Sequence, residues 1–99
     1  MTEALFVYGT LQLPEVQQVV FGRLINGTHD VLDGYGRSSI TLGRETYPII
    51  MEQAGSSVEG MVLDVTAEEL ARADHYETDA YRRLRVTLRS GKEAWVYGK

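Results

Sequence analysis

Ten glycines are spread along almost the whole chain of 99 residues. Glycine reaches backbone conformations that other residues avoid, so it marks turns between regular elements. Glycines at this density favour a fold of short strands and tight turns. In the first two thirds of the chain, glycines at positions 34, 36, 43 and 55 separate four predicted strands: Thr28–Leu32, Ser39–Leu42, Tyr47–Glu52 and Val58–Val65. Pro48 further places the third of these at a sheet edge or a strand start.

The first unit of the chain is predicted to be a strand, a glycine turn and a short helix. Ala4–Tyr8 is a continuous apolar and aromatic run that ends at Gly9, a pattern typical of a strand buried on both faces. Pro14 is suited to the first position of a helix, whose end is predicted at Gly22 or Gly27. The valines of this helix recur at helical spacing: Val16, Val19 and Val20.

The second helix carries the clearest local signal. Thr66 and Glu69 have the spacing of a capping box, which predicts a helix from Ala67 to about His75. The alternation over 83–89 then predicts a half-buried strand, with leucine and valine on one face and arginine on the other. Gly91-Lys92 turns this strand into a second one over Glu93–Tyr97.

The element order is therefore one strand, one helix, several strands, one helix and a terminal hairpin. This order predicts an α+β fold, a small and mainly antiparallel mixed β-barrel with two or three short helices. Repeated strand-helix-strand units, which would indicate a doubly wound parallel sheet, are not found in the sequence. A chain of 99 residues with ordinary globular composition is expected to form one domain, residues 1–99.

Charge and composition exclude several classes of function. The net charge of −4 argues against nucleic acid as a partner, and the basic cluster at 82, 83, 85 and 89 is interpreted as a solvated strand face. No apolar run approaches the ~20 residues of a membrane helix, and the N-terminus does not resemble a signal peptide, so a cytoplasmic location is expected.

Because the chain has no cysteine, it has no disulfide, thiol nucleophile or thiolate metal site. His29 and His75 lack ligands at metal-binding spacing, so no metal is expected.

Three features remain as candidates for chemistry: two segments of the chain, and the six tyrosines, most of which are expected in the core or at its rim while some could line a polar pocket. The strand that ends at Gly9-Thr10 and leads into a helix leaves backbone N–H groups free to bind an anion or a carbonyl oxygen. An ordinary strand-to-helix turn is the alternative. The second segment contains Glu77, which shares a helical face with Leu70 and Ala73 if the helix extends that far. Burial would then raise the pKa of its carboxyl toward that of a general base, whereas a helix that ends earlier leaves Glu77 in solvent.

The order of several short motifs resembles that of a known family. The motifs are Phe6-Val7-Tyr8-Gly9-Thr10-Leu11, Tyr47-Pro48, Gly60 within 58–62, Asp74-x-Tyr76-Glu77, Tyr81-x-Arg83 and Trp95-Val96-Tyr97. Together they span residues 5–97 and resemble the γ-glutamylcyclotransferase-like family, also called AIG2-like. Active members of this family convert γ-glutamyl amides to 5-oxoproline and a free amine.

The resemblance implies a small barrel with a pocket on one side, and it assigns roles within that pocket. Glu77 would be the catalytic acid/base, and no cofactor would be needed. Substrate binding would fall to Tyr8, Gly9, Thr10, Leu11 and Tyr81. The expected partner is a small γ-glutamyl amide, not nucleic acid or a membrane, and the expected state is a monomer or weak homodimer. A non-catalytic binding module for small molecules on the same fold is the alternative. The segment Gln12–Glu15 lacks the basic residue or glycine often found there in the family, which leaves the amine half of the substrate open.

Overall fold

A computed structural model describes residues 2–98, which form one curled five-stranded sheet flanked by two helices. The strands are β1 (Thr2–Val7), β2 (Thr28–Leu42), β3 (Glu45–Thr66), β4 (Arg82–Thr87) and β5 (Glu93–Gly98). The helices are α1 (Pro14–Phe21) and α2 (Ala67–Glu77), and short 3-10 turns cover Thr10–Gln12 and Thr78–Ala80. Within this part of the chain, no helix is both long enough and apolar enough to cross a membrane.

The strand order is β2-β3-β1-β5-β4, and only the β1/β5 pair is parallel. The predicted α+β class and mainly antiparallel, barrel-like sheet are thus confirmed. β1 is buried on both faces, as its sequence predicts. Leu5 and Val7 pack toward the two helices, whereas Phe6 and Tyr8 pack into the interior of the curled sheet.

The four short strands predicted in the middle of the chain are in fact two long ones, and this prediction was wrong. Pairing between β2 and β3 passes from Asp33 opposite Ser57 to Tyr35 opposite Glu52, which forms a bulge. Gly34 and Gly55 lie at this irregularity with φ of 83° and 84°. Glycines with positive φ occur in some bulges as well as in turns, so the glycines alone did not distinguish the two. Of the four glycines predicted to separate these strands, the one at position 43, with φ of 64°, lies in a turn between two observed strands.

Pro48 lies three residues after the start of β3, in a part of that strand that β1 does not reach, since β1 pairs with residues 61–66. It is therefore tolerated near a strand start and on an edge, as predicted. The first helix ends at Gly22, in the left-handed conformation with φ of 76°. Val19 does not share the buried face expected from its spacing, because it is 84% exposed while Val20 packs in the core.

Helix α2 begins with the predicted capping box and ends later than predicted. The Glu69 amide donates to the Thr66 hydroxyl at 3.1 Å, and the Glu69 carboxylate accepts from the Thr66 amide at 2.9 Å. The same carboxylate binds the Arg23 guanidinium at 2.7 and 2.9 Å, which ties α2 to the end of α1. The helix continues through Glu77, two residues beyond the predicted end, and stops where Thr78 adopts φ of 61°.

The curled sheet is closed at one end by the turn between β4 and β5. The Arg89 amide donates to the Val31 carbonyl at 2.8 Å, which joins this turn to the edge strand β2. The Asp30 carboxylate accepts from the Ser90 hydroxyl at 2.5 Å and from the Ser90 amide at 3.3 Å. Arg89 therefore lies in the closing turn, paired with Asp33 at 2.6 Å, and not on the strand face predicted for it.

Candidate active site

A cavity of about 420 Å³ lies at the end of β1, which is within the usual range for a small-molecule site. The end of β1 and the turn after it, residues 6–11, form one wall. The end of α2 contributes Tyr76, Glu77 and Thr78, and the remaining walls are Tyr47, Pro48, Tyr81 and Tyr97. Every residue predicted to form the site, Glu77, Tyr81 and the turn at 8–11, lines this one cavity.

Glu77 contributes the one charged side chain among the described residues that line the cavity. It is the last residue of α2, and it follows Leu70 and Ala73 on the buried side of the helix, as its spacing indicates. The alternative in which the helix has already ended before Glu77 does not hold. Burial raises the pKa of the Glu77 carboxyl to about 7, because the charged form loses water without a compensating cation.

The turn opposite Glu77 has free amide groups. Gly9 has φ of −128°, so its backbone is not in the left-handed region that a glycine turn would suggest. The carbonyl of Gly9 accepts from the Gln12 amide at 3.1 Å. Among the backbone and side-chain groups that the structure describes, no acceptor is found for the amides of Gly9, Thr10 and Leu11. A Cβ atom added at Gly9 would meet nothing within 4 Å, so the absence of a side chain here leaves open space.

Two residues that the sequence reading missed support this turn. Arg37 donates to the Tyr8 carbonyl at 3.1 Å and to the Glu59 carbonyl at 3.2 Å, and so bridges β1 and β3 where their pairing ends. Gln17 is buried on α1, where its side chain donates to the Leu11 carbonyl at 2.9 Å and accepts from the Ile25 amide at 3.0 Å. A glutamine between the apolar positions of a helix was a usable signal, whereas nothing in the local sequence marks Arg37.

Five of the six tyrosines line the cavity. Their hydroxyl groups are all engaged by the protein: Tyr8 with the Tyr97 carbonyl, Tyr97 with Asp74, Tyr76 with Thr10, Tyr81 with the Pro48 carbonyl, and Tyr47 with Glu45. Burial raises the pKa of Tyr8 and Tyr97 well above that of a free phenol, so both remain neutral. These side chains therefore contribute mainly apolar walls to the cavity.

Asp74 lies one turn before Glu77 and has a structural role. Its carboxylate accepts from the Tyr97 hydroxyl at 2.7 Å and pairs with Arg83 at 2.9 Å. These contacts fasten α2 to β5 and β4. In the described part of the chain, no group of three side chains could hold a metal ion.

An open groove of about 630 Å³ adjoins the cavity. Thr78, Tyr81 and Tyr97 line both spaces. The other groove residues come from α2, β4 and β5: Asp74, His75, Arg82, Arg83 and Trp95. Two of the arginines interpreted as a solvated strand face thus line a concave surface beside the cavity.

A sequence model of the family described as gamma-glutamyl cyclotransferase, AIG2-like, matches residues 5–99 of this chain. The chain belongs to this family. Among curated AIG2-like relatives, AIG2-like protein C of Arabidopsis thaliana is 39% identical over 85 residues, which are 85% of this chain and 48% of that protein. The chain spans about half the length of the curated AIG2-like relatives it matches.

Solved structures confirm the fold expected of an AIG2-like chain. A solution structure of an Arabidopsis thaliana protein is 28% identical and superposes with a TM-score of 0.83, covering 99% of this chain and 62% of that one. A solved structure named gamma-glutamyl cyclotransferase has a TM-score of 0.78 at 17% identity, covering 99% of this chain and 66% of that one. At this identity the second likeness concerns the fold alone.

Proposed function

We propose that this AIG2-like chain catalyses a γ-glutamyl cyclotransferase reaction. In this reaction the α-amine of a γ-glutamyl amide attacks its own γ-carbonyl carbon. A carbon-nitrogen bond forms to close the five-membered ring of 5-oxoproline, and the original amide bond breaks to release the amine. One observation carries the proposal: a partly buried carboxyl with a pKa of about 7 shares a 420 Å³ cavity with a turn whose amides have no protein acceptor among the groups that the structure describes.

Glu77 is suited to move the proton that the reaction requires. The α-amine of the substrate is an ammonium group at neutral pH and cannot attack until it loses a proton. A carboxylate with a pKa of about 7 can accept that proton, and the resulting acid can give it to the departing amine. The proton therefore travels from the α-nitrogen to the leaving nitrogen, and Glu77 returns to its starting state.

The turn at Gly9–Leu11 is suited to bind negative charge. The attack converts the γ-carbonyl oxygen into an oxyanion, and free amide donors stabilise such a group more in a partly dry cavity than in water. The open space beside Gly9 allows a substrate oxygen to approach the backbone. The same amides are also suited to hold the substrate's α-carboxylate.

The tyrosine side chains contribute to the shape of the cavity more than to proton transfer. Their hydroxyls are engaged by protein partners, so the rings present a largely apolar boundary around the glutamyl chain. Because the attack is intramolecular, holding the substrate in a folded conformation lowers the barrier by several kcal/mol, on the order of 7 in favourable cases.

The test is to follow 5-oxoproline production from a panel of γ-glutamyl amides with the wild-type chain and with Glu77→Gln. Glutamine keeps the size of the side chain but cannot accept the proton, so turnover should fall by about a thousandfold. Glu68→Gln is the matched control, because Glu68 is exposed on the same helix, does not line the cavity and pairs with Arg72. It should leave turnover unchanged.

Two results would contradict the proposal. If no γ-glutamyl amide yields 5-oxoproline although the folded chain binds these compounds, the cavity is a binding site without catalysis. If Glu77→Gln turns over as fast as the wild-type chain, the carboxyl of Glu77 does not transfer the proton.

A further inference from the structure

The groove beside the cavity continues the candidate site. Thr78, Tyr81 and Tyr97 line both spaces, so they form a shared boundary. In the proposed reaction the glutamyl chain lies in the cavity beside Glu77, and the amide nitrogen of the substrate carries a further group. The groove is the adjoining space that can hold this group. The groove is concave, borders the cavity and is open to solvent, as a leaving group requires.

The charges of the two spaces are opposite in sign. Among described residues, the cavity is lined by one charged side chain, the carboxyl of Glu77. Among the same described residues, those that line the groove include Arg82 and Arg83 against one carboxylate, that of Asp74. This local excess of positive charge occurs in a chain whose net charge is −4. A substrate that is cationic at its α-nitrogen and anionic at the far end of its amine half matches this arrangement.

The two arginines have different surroundings. Arg83 is held between the carboxylate of Asp74, 2.9 Å from its Nε atom, and the ring of Trp95, whose centroid lies 4.8 Å away. Trp95 is fixed in turn by its indole N–H, which donates to Glu3 at 3.0 Å. Arg82 is exposed and next in sequence, so its charge is the more accessible of the two to a ligand in the groove.

From this geometry we infer that the groove holds the leaving amine of the γ-glutamyl amide, and that Arg82 makes the site select amines that carry an anionic group close to the nitrogen. This inference rests on the proposed function, because it names the amine half of the same substrate. Arg82 acts here as a binding residue and takes no part in proton transfer.

The experiment compares three substrates that differ in the charge of the amine half: γ-glutamylglycine with a carboxylate, γ-glutamyltaurine with a sulfonate and γ-glutamylglycinamide with no charge. The wild-type chain should have the highest kcat/KM for an anionic substrate.

Arg82→Gln should lower kcat/KM for that substrate about tenfold, which corresponds to the loss of one hydrogen bond to a charged group. It should leave kcat/KM for the neutral substrate unchanged. Arg44→Gln is the control, since it removes the same charge from an exposed position in the turn between β2 and β3, and Arg44 does not line the groove. A carboxylate preference without a sulfonate preference would show that the geometry of the anion counts as well as its charge, and would support the inference.

Failure of this inference differs from failure of the proposed function. If all three substrates are converted equally and Arg82→Gln changes none of them, the groove does not select charge while the cyclotransferase proposal stands. If none is converted, the cyclotransferase proposal fails. Changes in amide NMR shifts on adding γ-glutamylglycine then show whether the groove binds the anionic half of the compound. Shifts at His75, Arg82 and Trp95 that are absent with γ-glutamylglycinamide support it, and shifts confined to the cavity, or none, overturn it.

Discussion

At the scale of single residues, the site depends on a carboxyl group that has lost water and gained no cation. Desolvation is the cause of the raised pKa of Glu77. Glu77 is desolvated because α2 extends as far as this residue and places it in the wall of the cavity. A group in this state lowers the stability of the protein at neutral pH, because burying the charged form costs free energy. The same cost brings the pKa near 7, where a general base is most useful.

Glu77→Gln should therefore stabilise the folded chain above pH 7. The pKa of Glu77 is about 7 in the folded state and 4.5 in an ordinary environment, so the folded state binds more protons between these values. Wild-type stability from this group is present below pH 4.5 and is lost as the pH rises through 7. The glutamine variant does not undergo this loss, so its free energy of unfolding should exceed the wild-type value by on the order of 1–3 kcal/mol at pH 8 but not at pH 4. Thermal unfolding of both chains across this pH range measures the difference. The same pH dependence of stability in the two chains would contradict the prediction.

The pH dependence of turnover reports the same group. With a suitable γ-glutamyl amide, kcat/KM should rise about tenfold per pH unit below the pKa of the base and level off near pH 7. An acid limb centred near 4.5 would show that the carboxyl is solvated in solution.

Gly9→Ala separates a ligand site from an ordinary turn. Position 9 has negative φ and no neighbour within 4 Å of an added Cβ, so the fold should accept alanine with a stability change within about 0.5 kcal/mol. The methyl group would occupy the space where a substrate oxygen approaches, so kcat/KM should fall at least tenfold. Chemical denaturation and 5-oxoproline assays give the two readouts. Unchanged kinetics in a well-folded variant would show that substrate does not approach this backbone.

At the scale of elements, the last turn of α2 and the first turn after β1 are the parts that form the site. The helix stops at Thr78, whose φ of 61° and ψ of −167° belong to a region that is almost restricted to glycine. Strained residues of this kind cluster at functional sites, where the surrounding structure holds them in place. Here the strained residue directly follows Glu77 and fixes the direction in which the helix ends.

Thr78→Gly should stabilise the protein and reduce its activity. Glycine relieves about 1–3 kcal/mol of backbone strain and loses up to about 1 kcal/mol through the entropy of the unfolded chain, which leaves a net gain of about 1 kcal/mol. A less constrained helix end should hold Glu77 less firmly and lower kcat severalfold. The same substitution at Thr87, exposed in β4, should destabilise instead. A loss of stability in both variants would argue against strain at position 78.

Gly60→Ala should disturb the strand pair that carries the turn. A Cβ atom at Gly60 would collide with the Val7 carbonyl oxygen and approach the Phe6 ring to 2.8 Å. Because a backbone atom cannot move aside cheaply, β1 and β3 would separate locally, at a cost of about 1–3 kcal/mol. Denaturant unfolding measures the loss, and a variant as stable as the wild-type chain would contradict the close approach of these strands.

At the scale of the whole molecule, side chains distant in sequence decide that the sheet is curled and closed. Asp30 and Ser90 meet across 60 positions and join the edge strand β2 to the turn after β4. The Ser90 hydrogen bond is the main reason that the pKa of Asp30 lies below its ordinary value. Stability from Asp30 is therefore present above the ordinary pKa of an aspartate and is lost as the pH falls through its lowered folded value.

Asp30→Ala should open this closure. The substitution leaves the Ser90 hydroxyl and the Val31 amide without their acceptor, which costs about 2–3 kcal/mol and lowers Tm by about 10 °C or more. Asp33→Ala is the matched control, because it removes an exposed carboxylate that pairs with Arg89 across the same junction, and an exposed pair of this kind should cost much less than the buried Asp30 contacts. Equal losses in the two variants would show that Asp30 does not contribute through the closure.

Local sequence patterns predicted much of the site's location. The apolar run of β1 and the capping box of α2 are local features, and both form as their patterns predict. The i, i+3, i+7 spacing is also local: Leu70 and Ala73 are buried, and Glu77 is partly buried. The resemblance carried by the Tyr8–Leu11 and Asp74–Glu77 segments located the two halves of the cavity. Gln17 was a missed local signal, since a polar residue on a buried helix face must find partners.

The sequence by itself thus determined the elements that local hydrogen bonding and apolar periodicity specify: β1, the two helices and the terminal hairpin. Only the tertiary structure decided whether a glycine makes a turn or a bulge, which side chains close the sheet, and that Arg37 supports the turn at Tyr8. The same holds for the pKa of Glu77, which depends on walls contributed by four separate stretches of the chain. The physical reason is that burial and long-range contacts depend on neighbours in space, whereas a local pattern records only neighbours along the chain.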